Sequence, residues 1–299
     1  MRGTLNRIWR VAVTELGLAL RCRRALVVVL LFVAVAVVVM YGTISAFAAM
    51  EREVLSGLGL PVSDNPGSVT MALWKSRPFA RVIGRLVGDS LVFADIQGRH
   101  PLLLAYAMFL FQVVSFLTLL VSSSRVAEDL RNGTARYWLV RVTRTEWTLG
   151  KFFGEAMMLA FATAVGALAA WTVVVWRLPG WSGVPLLVGI LDWSARAWVY
   201  AFGWLGLFMG FSHLVGSGGK ATALGILALM GAAAWTPMLG NFAEDVPGLV
   251  HLDALVPQSV LSQLWRRTPG ALVEGLVHLV ALSFLYLSLG AAAFRRRDV

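Results

Sequence analysis

Six long apolar runs alternate with polar stretches along the 299-residue chain. An α-helix needs roughly 18 to 20 apolar residues to cross about 30 Å of hydrocarbon, and each run offers about that length. The pattern predicts an all-α polytopic membrane protein, with the whole chain forming one transmembrane domain. The six predicted transmembrane helices cover residues 25–49, 102–121, 153–176, 190–215, 221–239 and 271–294.

Residues 4–21, ahead of the first run, have the periodicity of an amphipathic helix. The predicted apolar face consists of Leu5, Ile8, Trp9, Ala12, Val13, Leu16 and Leu20. A basic amphipathic helix that carries a tryptophan is typical of an element lying in the membrane interface. We therefore predict an N-terminal interfacial helix, and the alternative is a solvated basic arm.

The first apolar run could also belong to a secretory signal peptide, because Ala46-Phe47-Ala48 resembles a cleavage site. However, 24 residues precede the run, and its uncharged part is 25 residues long. Both lengths exceed those of a signal peptide, so we expect an uncleaved first span.

The polar stretches predict two long outer loops, over residues 50–100 and 241–269, and an inner loop over residues 122–152. A second, shorter inner turn contains Gly218, Gly219 and Lys220. The stretch that holds the fourth span, residues 184–215, is too long for one straight crossing. Its glycines at 203, 206 and 210 suit either close helix packing or a dimer seam.

Composition and charge agree with a membrane protein, since 58% of the residues are hydrophobic and only 14% are charged. Of the 26 lysines and arginines, 16 fall on the side of the termini and the inner loop, and 10 fall elsewhere. Positively charged loops favour the cytoplasmic side. We therefore expect a multi-pass protein of a bacterial cytoplasmic membrane, with both termini in the cytoplasm. We also expect the protein to contact membrane lipid. The net charge of +10 is explained in this way, and we expect no nucleic-acid partner.

Two polar pairs lie within the predicted spans at a spacing of four residues, Asp192 with Arg196 and Glu274 with His278. Ionisable groups in hydrocarbon tend to face a bundle interior or a polar cavity. They indicate either a substrate or ion path, or contacts that hold the helices together. No spacing of His, Cys, Asp and Glu suggests a metal site, and we predict none.

The chain carries no phosphate-binding loop, because Gly150-Lys151 and Gly219-Lys220 both lack the rest of that motif. A serine motif, Gly180-Trp181-Ser182-Gly183, resembles the serine loop of rhomboid proteases, with His213 and His278 as the available bases. Such short matches arise readily by chance. We therefore expect no enzymatic activity and no cofactor bound by this chain.

The inner loop contains an ordered series of charged, glycine and aromatic residues. The series comprises Glu128, Asp129, Gly133, Thr134, Arg136, Trp138, Arg144, Trp147, Gly150 and Lys151. In its order of an acidic residue, Gly-Thr, Arg and Gly-Lys, the loop resembles the cytoplasmic loop of permease subunits of ABC exporters of the ABC-2 family. The basic amphipathic start, the long first outer loop and the Phe-Arg-Arg-Arg-Asp end of the chain also look like that family.

The resemblance implies a membrane subunit that works with two copies of a separate ABC ATPase, which would bind ATP and magnesium. It also implies a second permease copy, either identical or a paralogue. The loop residues would form a coupling element that docks on the ATPase, with Trp138 and Trp147 as apolar anchors and Glu128, Arg136 and Arg144 as polar contacts. In layout the chain is most similar to exporters of multicopper-enzyme maturation, including those serving nitrous oxide reductase.

Three function classes are consistent with the sequence. The first is an ABC permease that forms the translocation path of an exporter. The second is an ion-coupled secondary transporter, which should show repeats and broken spans at matching positions. The third is a membrane-embedded enzyme or assembly factor, which should show polar residues converging within the spans. Alternatively, the inner loop is a topology signal that lies on lipid.

Overall fold

The computed structural model describes residues 2–21, 23–57, 99–178, 183–242 and 252–295, with residues 59, 72, 76 and 95. Every regular element in these residues is helical. The helices are α1 (Arg2–Arg21), α2 (Arg23–Gly57), α3 (Pro101–Ser122), α4 (Arg125–Arg131), α5 (Thr134–Leu139), α6 (Arg144–Arg177), α7 (Gly183–Leu214), α8 (Gly218–Phe242), a 3-10 helix (Pro257–Val260), α9 (Leu261–Trp265) and α10 (Pro269–Arg295). Most of the first predicted outer loop, part of the second and the basic end of the chain lie outside the described residues.

Four helical stretches within the described residues are long and apolar enough to cross a membrane. They are Ala25–Gly57, Pro101–Arg131, Arg144–Arg177 and Pro269–Arg295. The fourth and fifth predicted spans correspond to α7 and α8, which are not among these four stretches. Asp192 and Arg196 place two charges within α7, and α8 carries Lys220 in its first turn and is rich in glycine and alanine. The six-span prediction therefore depends on these two helices.

Helix α7 is one continuous helix of 32 residues, not two shorter ones. At 1.5 Å per residue it extends about 48 Å, well beyond the hydrocarbon thickness of a bilayer. It lies at the centre of the fold and packs on α3, α6, α8 and α10. The stretch predicted to be too long for one straight crossing is thus a single unbroken helix.

Glycines allow α7 and α10 to approach to backbone contact. A Cβ atom at Gly206 would lie 2.4 Å from the Cα of Ser283, and one at Gly210 would lie 2.7 Å from the carbonyl oxygen of Tyr286. Neither distance leaves room for a side chain, because the atoms in the way belong to the backbone. These two glycines therefore serve helix packing within the chain, and not a seam between two copies.

Helix α1 packs along the first half of α6 in the same way. Cβ atoms at Gly150 and Gly154 would lie 2.4 Å from the Cβ of Val11 and 2.8 Å from the Cβ of Glu15. The buried side chains of α1 are Val11, Ala12, Glu15 and Ala19, while Leu5, Trp9, Val13 and Leu20 stay exposed. The predicted apolar face therefore serves two surfaces. Ala12 packs against α6, whereas Leu5, Trp9, Val13 and Leu20 form a separate, exposed apolar strip.

The long helices alternate in direction, so that their ends meet at two ends of the bundle. At the loop end, where residues 122–152 lie, the Oγ1 of Thr148 is 3.2 Å from the Nε2 of His213, and the hydroxyls of Ser123 and Thr222 are 2.9 Å apart. At the far end, Arg177 donates to the Oγ of Ser45 at 3.5 Å. Each of these contacts joins helices that are far apart in the amino-acid sequence.

Large apolar side chains are exposed along the outer surface of the bundle. Examples are Leu26, Val38, Met108, Phe116, Phe161, Leu227 and Val277. A water-soluble protein rarely exposes apolar surface over such an extent. This surface is what a bundle surrounded by lipid requires.

Candidate coupling site

Local sequence signals divide the inner loop into two short helices. Glu128 lies in the first turn of α4, where a carboxylate is favoured by the helix dipole. Gly133 separates α4 from α5 and has a φ of 73°, a left-handed conformation that favours glycine. Thr143 and Glu146 then form a capping box at the start of α6. These signals define where α4 and α5 are separated and where α6 begins, so the inner loop has a regular helical structure.

A buried ion cluster joins this loop to α1. The Nζ of Lys151 lies 2.8 Å from the Oε1 of Glu15, and it also pairs with the Oδ2 of Asp129. The side chains of Lys151 and Glu15 are only 4% and 8% exposed. One ammonium thus ties α6 to α1 and to α4, and the indole ring of Trp147, 5.3 Å from the Nζ, adds a cation–π contact.

Two further ion pairs extend the same connection. The Nε of Arg125 donates to the Oε1 of Glu155 at 2.7 Å, which joins α4 to α6. The Nε of Arg7 lies 3.2 Å from the Oε1 of Glu146, which joins α1 to the capping box. The charged residues at the loop end therefore form intramolecular links that fix α4 and α1 against α6.

Arg144 lies against the end of α10. Its Nη1 donates to the carbonyl oxygens of Phe294 at 2.9 Å and Arg295 at 3.2 Å, and its guanidinium stacks on the Phe294 ring. A basic side chain at a helix C-terminus satisfies carbonyls that have no helical partner. The contacts of Arg144 that the structure describes hold the end of α10, and its contact with a partner protein stays a prediction.

The two tryptophans of the loop differ in their surroundings. Trp147 is fully buried, in contact with Phe294 and His213. Trp138 is half-buried and packs against the same apolar cluster. In this conformation Trp147 is not accessible to a partner, which corrects the expectation that both tryptophans are docking anchors. Its hydrophobic character serves the internal packing of the loop.

The surface of the loop carries a different set of side chains, which we call the docking face. It consists of Thr134, Arg136, Tyr137, Val140 and Arg141. Tyr137 is 81% exposed and Val140 is 85% exposed. Two large apolar groups next to two arginines resemble the composition of protein interfaces, where Tyr and Arg are enriched. Sequence reasoning missed Tyr137 and Val140, although their spacing of three residues opposite buried Ala135 placed them on one helical face.

The second inner turn lies beside α4. A Cβ atom at Gly218 would lie 3.0 Å from the Cβ of Ser124 and 3.5 Å from the Cγ of Glu128. Gly219 and Lys220 are exposed. The structure therefore brings the start of α8 next to the loop, and Lys220 adds a positive charge at this end of the bundle.

The pair of Asp192 and Arg196 lies toward the far end and is part of a larger cluster. The Nε of Arg196 is 3.0 Å from the Oδ1 of Asp192, and Arg99 donates to the Oδ2 at 2.9 Å. Arg196 also donates to the carbonyl oxygens of Leu264 at 2.6 Å and Arg266 at 2.8 Å. These bonds fasten the segment before α10 to α7 and α3, which supports a structural role for the pair and gives no indication of an ion path.

Burial affects two groups at this end that lie outside the helical spans. It lowers the pKa of Arg99 despite the hydrogen bond to Asp192, and it lowers the pKa of His100 to about 4. A neutral His100 suits its position at the start of α3, because its Nδ1 accepts from the amide of Leu102 at 3.1 Å.

Glu274 and His278 do not pair with each other among the described contacts. The Nε2 of His278 lies 2.7 Å from the carbonyl oxygen of Ala254, while Glu274 is exposed. His213, the other histidine considered as a base, is buried between Thr148 and the carbonyl oxygen of Met209. Ser182 lies outside the described residues. No group of three or more His, Cys, Asp or Glu that could hold a metal occurs in the described part of the chain.

The helical bundle, its exposed apolar surface and its charged end define a multi-pass membrane protein. The family model described as ABC-2 family transporter protein matches residues 9–299, and the chain belongs to this family. Such proteins are the membrane-spanning permease subunits of ABC transporters and normally work with an ABC ATPase. No curated protein matches the chain significantly.

Proposed function

We propose that the chain is the permease subunit of an ATP-driven exporter that forms the translocation path and couples to a separate ATPase. The observation that carries this proposal is the docking face, where Tyr137 and Val140 are exposed on a loop that three ion pairs hold in place. A fixed loop transmits a displacement to the helices it is tied to, whereas a loose one would absorb it. Docking on an ATPase would thus act directly on α1 and α6.

Six spans follow if α7 and α8 cross the membrane together with the four candidate stretches Ala25–Gly57, Pro101–Arg131, Arg144–Arg177 and Pro269–Arg295. Asp192 and Arg196 do not oppose this, because their charges are paired and hydrogen-bonded, which lowers the cost of placing them at membrane depth. The alternation of helix ends then puts both termini, the inner loop and the start of α8 on one side. The higher density of basic residues supports the cytoplasmic side.

Helix α1 is proposed to lie in the cytoplasmic interface of the membrane. It has an exposed apolar strip of Leu5, Trp9, Val13 and Leu20 between its buried face and its exposed arginines at 10 and 21. This order of surfaces suits a helix that contacts protein, lipid and water on successive sides.

The complete transporter is proposed to contain two permease copies, identical or paralogous, and two ATPase subunits that bind ATP and magnesium. The bacterial cytoplasmic membrane is its proposed location, and export is its proposed direction. A role in multicopper-enzyme maturation stays a prediction from layout.

Single cysteines test the proposed topology in a Cys22→Ser background. Asn132→Cys should be shielded from a membrane-impermeant maleimide in intact cells, whereas Asp64→Cys and Leu252→Cys should react. Asn132 and Leu252 are both exposed, so a difference between them reports the side of the membrane. Labelling of Asn132→Cys from outside would overturn the orientation.

ATP-hydrolysis measurements in nanodiscs test whether a separate subunit carries the ATPase activity. The isolated chain should show no ATP turnover, because its sequence has no phosphate-binding loop. Turnover should appear when a cognate ABC ATPase is co-expressed, and a Walker-lysine variant of that ATPase should abolish it. Hydrolysis that persists with the ATPase variant or without the ATPase would contradict a separate motor.

A further inference from the structure

A groove of about 360 Å³ opens beside the buried ion cluster, between α2, α3 and α6 at the loop end of the bundle. Its walls are mainly apolar. They include Val27, Val28, Leu31, Leu120, Val121 and Met158. Val27 and Leu120 are well exposed on the outer surface of the bundle, so the groove is open to the side on which lipid lies. An extended hydrocarbon chain matches this surface.

The polar part of the lining consists of Arg23 at the start of α2, Ser124 and Arg125 at the start of α4, and Glu155, which pairs with Arg125. Arg23 is exposed and makes no ion pair with another described residue. Arg125 uses its Nε for the Oε1 of Glu155. The two arginines give this part of the groove a net positive charge, which suits a phosphate group.

Glu155 indicates a second property of the ligand, namely a hydrogen-bond donor. Its side chain is 4% exposed, and its Oε2 is buried without a hydrogen-bond partner among the described residues. A buried acceptor without a donor is unfavourable. A ligand that places an N–H donor at this oxygen would relieve that cost, most strongly if the donor carries a positive charge.

We propose that the groove binds one phosphatidylethanolamine molecule from the membrane leaflet next to the coupling loop. The phosphate lies at Arg23 and Arg125, the primary ammonium donates to the Oε2 of Glu155, and an acyl chain fills the apolar part. The choline headgroup has no N–H to donate, and a phosphatidylglycerol headgroup brings only neutral hydroxyls to the carboxylate. The site requires the chain to lie in a membrane, but it does not depend on an ATPase.

Such a lipid would contact α2, α3 and α6 next to Arg125, the residue that ties α4 to α6. The headgroup would thus extend the ion cluster by one phosphate and one ammonium. The coupling loop would be held partly by lipid.

Native mass spectrometry of the full chain, after delipidation and addition of one lipid at a time, tests the site. Phosphatidylethanolamine should bind about tenfold more tightly than phosphatidylcholine or phosphatidylglycerol of the same chain length, the order expected for one charge-assisted hydrogen bond. Arg23→Gln should weaken its binding by about tenfold. Arg21→Gln removes the same charge two residues away, outside the groove lining, and should leave binding unchanged.

A steric variant tests the acyl chain independently of charge. Val27→Trp fills the groove and should reduce binding, whereas Val38→Trp, at another exposed position of α2 outside the lining, should not. Glu155→Gln should remove the preference for phosphatidylethanolamine over phosphatidylcholine, and the variants at Arg23 and Val27 keep the test decisive if that protein misfolds. Equal affinity for all three lipids, or equal effects of the groove variants and their controls, would overturn the proposal.

Discussion

Replacing Lys151 with methionine is expected to lower the free energy of unfolding by about 3 to 5 kcal/mol, the usual cost of removing one partner from a buried ion pair. Lys151 is the ammonium that faces both Glu15 and Asp129. Methionine has a similar length and apolar stem, so the packing volume is largely kept. Without the ammonium, the buried carboxylate of Glu15 loses its cation, and α1 loses its main polar link to α6.

The measurement is the stability of the detergent-purified variant in a denaturant or thermal series, with Lys220→Met as the matched control. Lys220 is exposed, and its replacement should cost little. A second replacement, Glu15→Gln, should recover part of the loss in the Lys151→Met background, because the uncompensated charge is then gone. Equal stability of Lys151→Met and Lys220→Met would show that the cluster does not hold the loop end together.

Replacing Tyr137 with alanine is expected to weaken binding of the ATPase by roughly 30-fold, about 2 kcal/mol, the threshold for a binding hot spot. Tyr137 is 81% exposed and lies on the docking face with Val140 and two arginines. The stability of the chain itself should change little, because an exposed side chain contributes little packing. Affinity can be measured by titrating labelled ATPase onto the permease in nanodiscs.

Trp176→Ala is the control for this second prediction. Trp176 is an aromatic residue that is 71% exposed at the opposite end of α6, so its loss removes a comparable apolar area at the far end. Its affinity for the ATPase should match that of the unmodified protein. If both variants bound the ATPase normally, the inner loop would be a topology signal and not a docking element.

Hydropathy and periodicity were sufficient to predict the helical class and the location of most long helices. They did not predict where the helices begin. Hydropathy identifies the segment that lies in the apolar layer, and a helix can extend beyond that segment. Helix α6 begins at Arg144, within the predicted inner loop, since Thr143 and Glu146 form a capping box there. That box is visible in the sequence as Thr-Arg-Thr-Glu and precedes an apolar run.

The candidate site was only partly predictable. The order of residues in the loop predicted a coupling role, but Glu15 and Phe294, which contact Lys151 and Arg144, lie 136 and 150 residues away in the chain, and no local pattern contains that information. The same holds for Trp147. From the sequence alone, a tryptophan in a charged loop is expected to lie at the surface. Only the packing of α10 shows that Trp147 is buried.

The central claim is that the docking face contacts a separate ATPase, and site-specific photo-crosslinking tests it most directly. A photo-reactive amino acid at position 137 or 140 should crosslink to the co-expressed ATPase in intact membranes, while the same group at position 176 should not. Crosslinks from 137 and 140 to the ATPase, lost when ATPase expression is omitted, are the result we predict. Crosslinks from these positions only to lipid, or to the ATPase equally from position 176, would contradict the account.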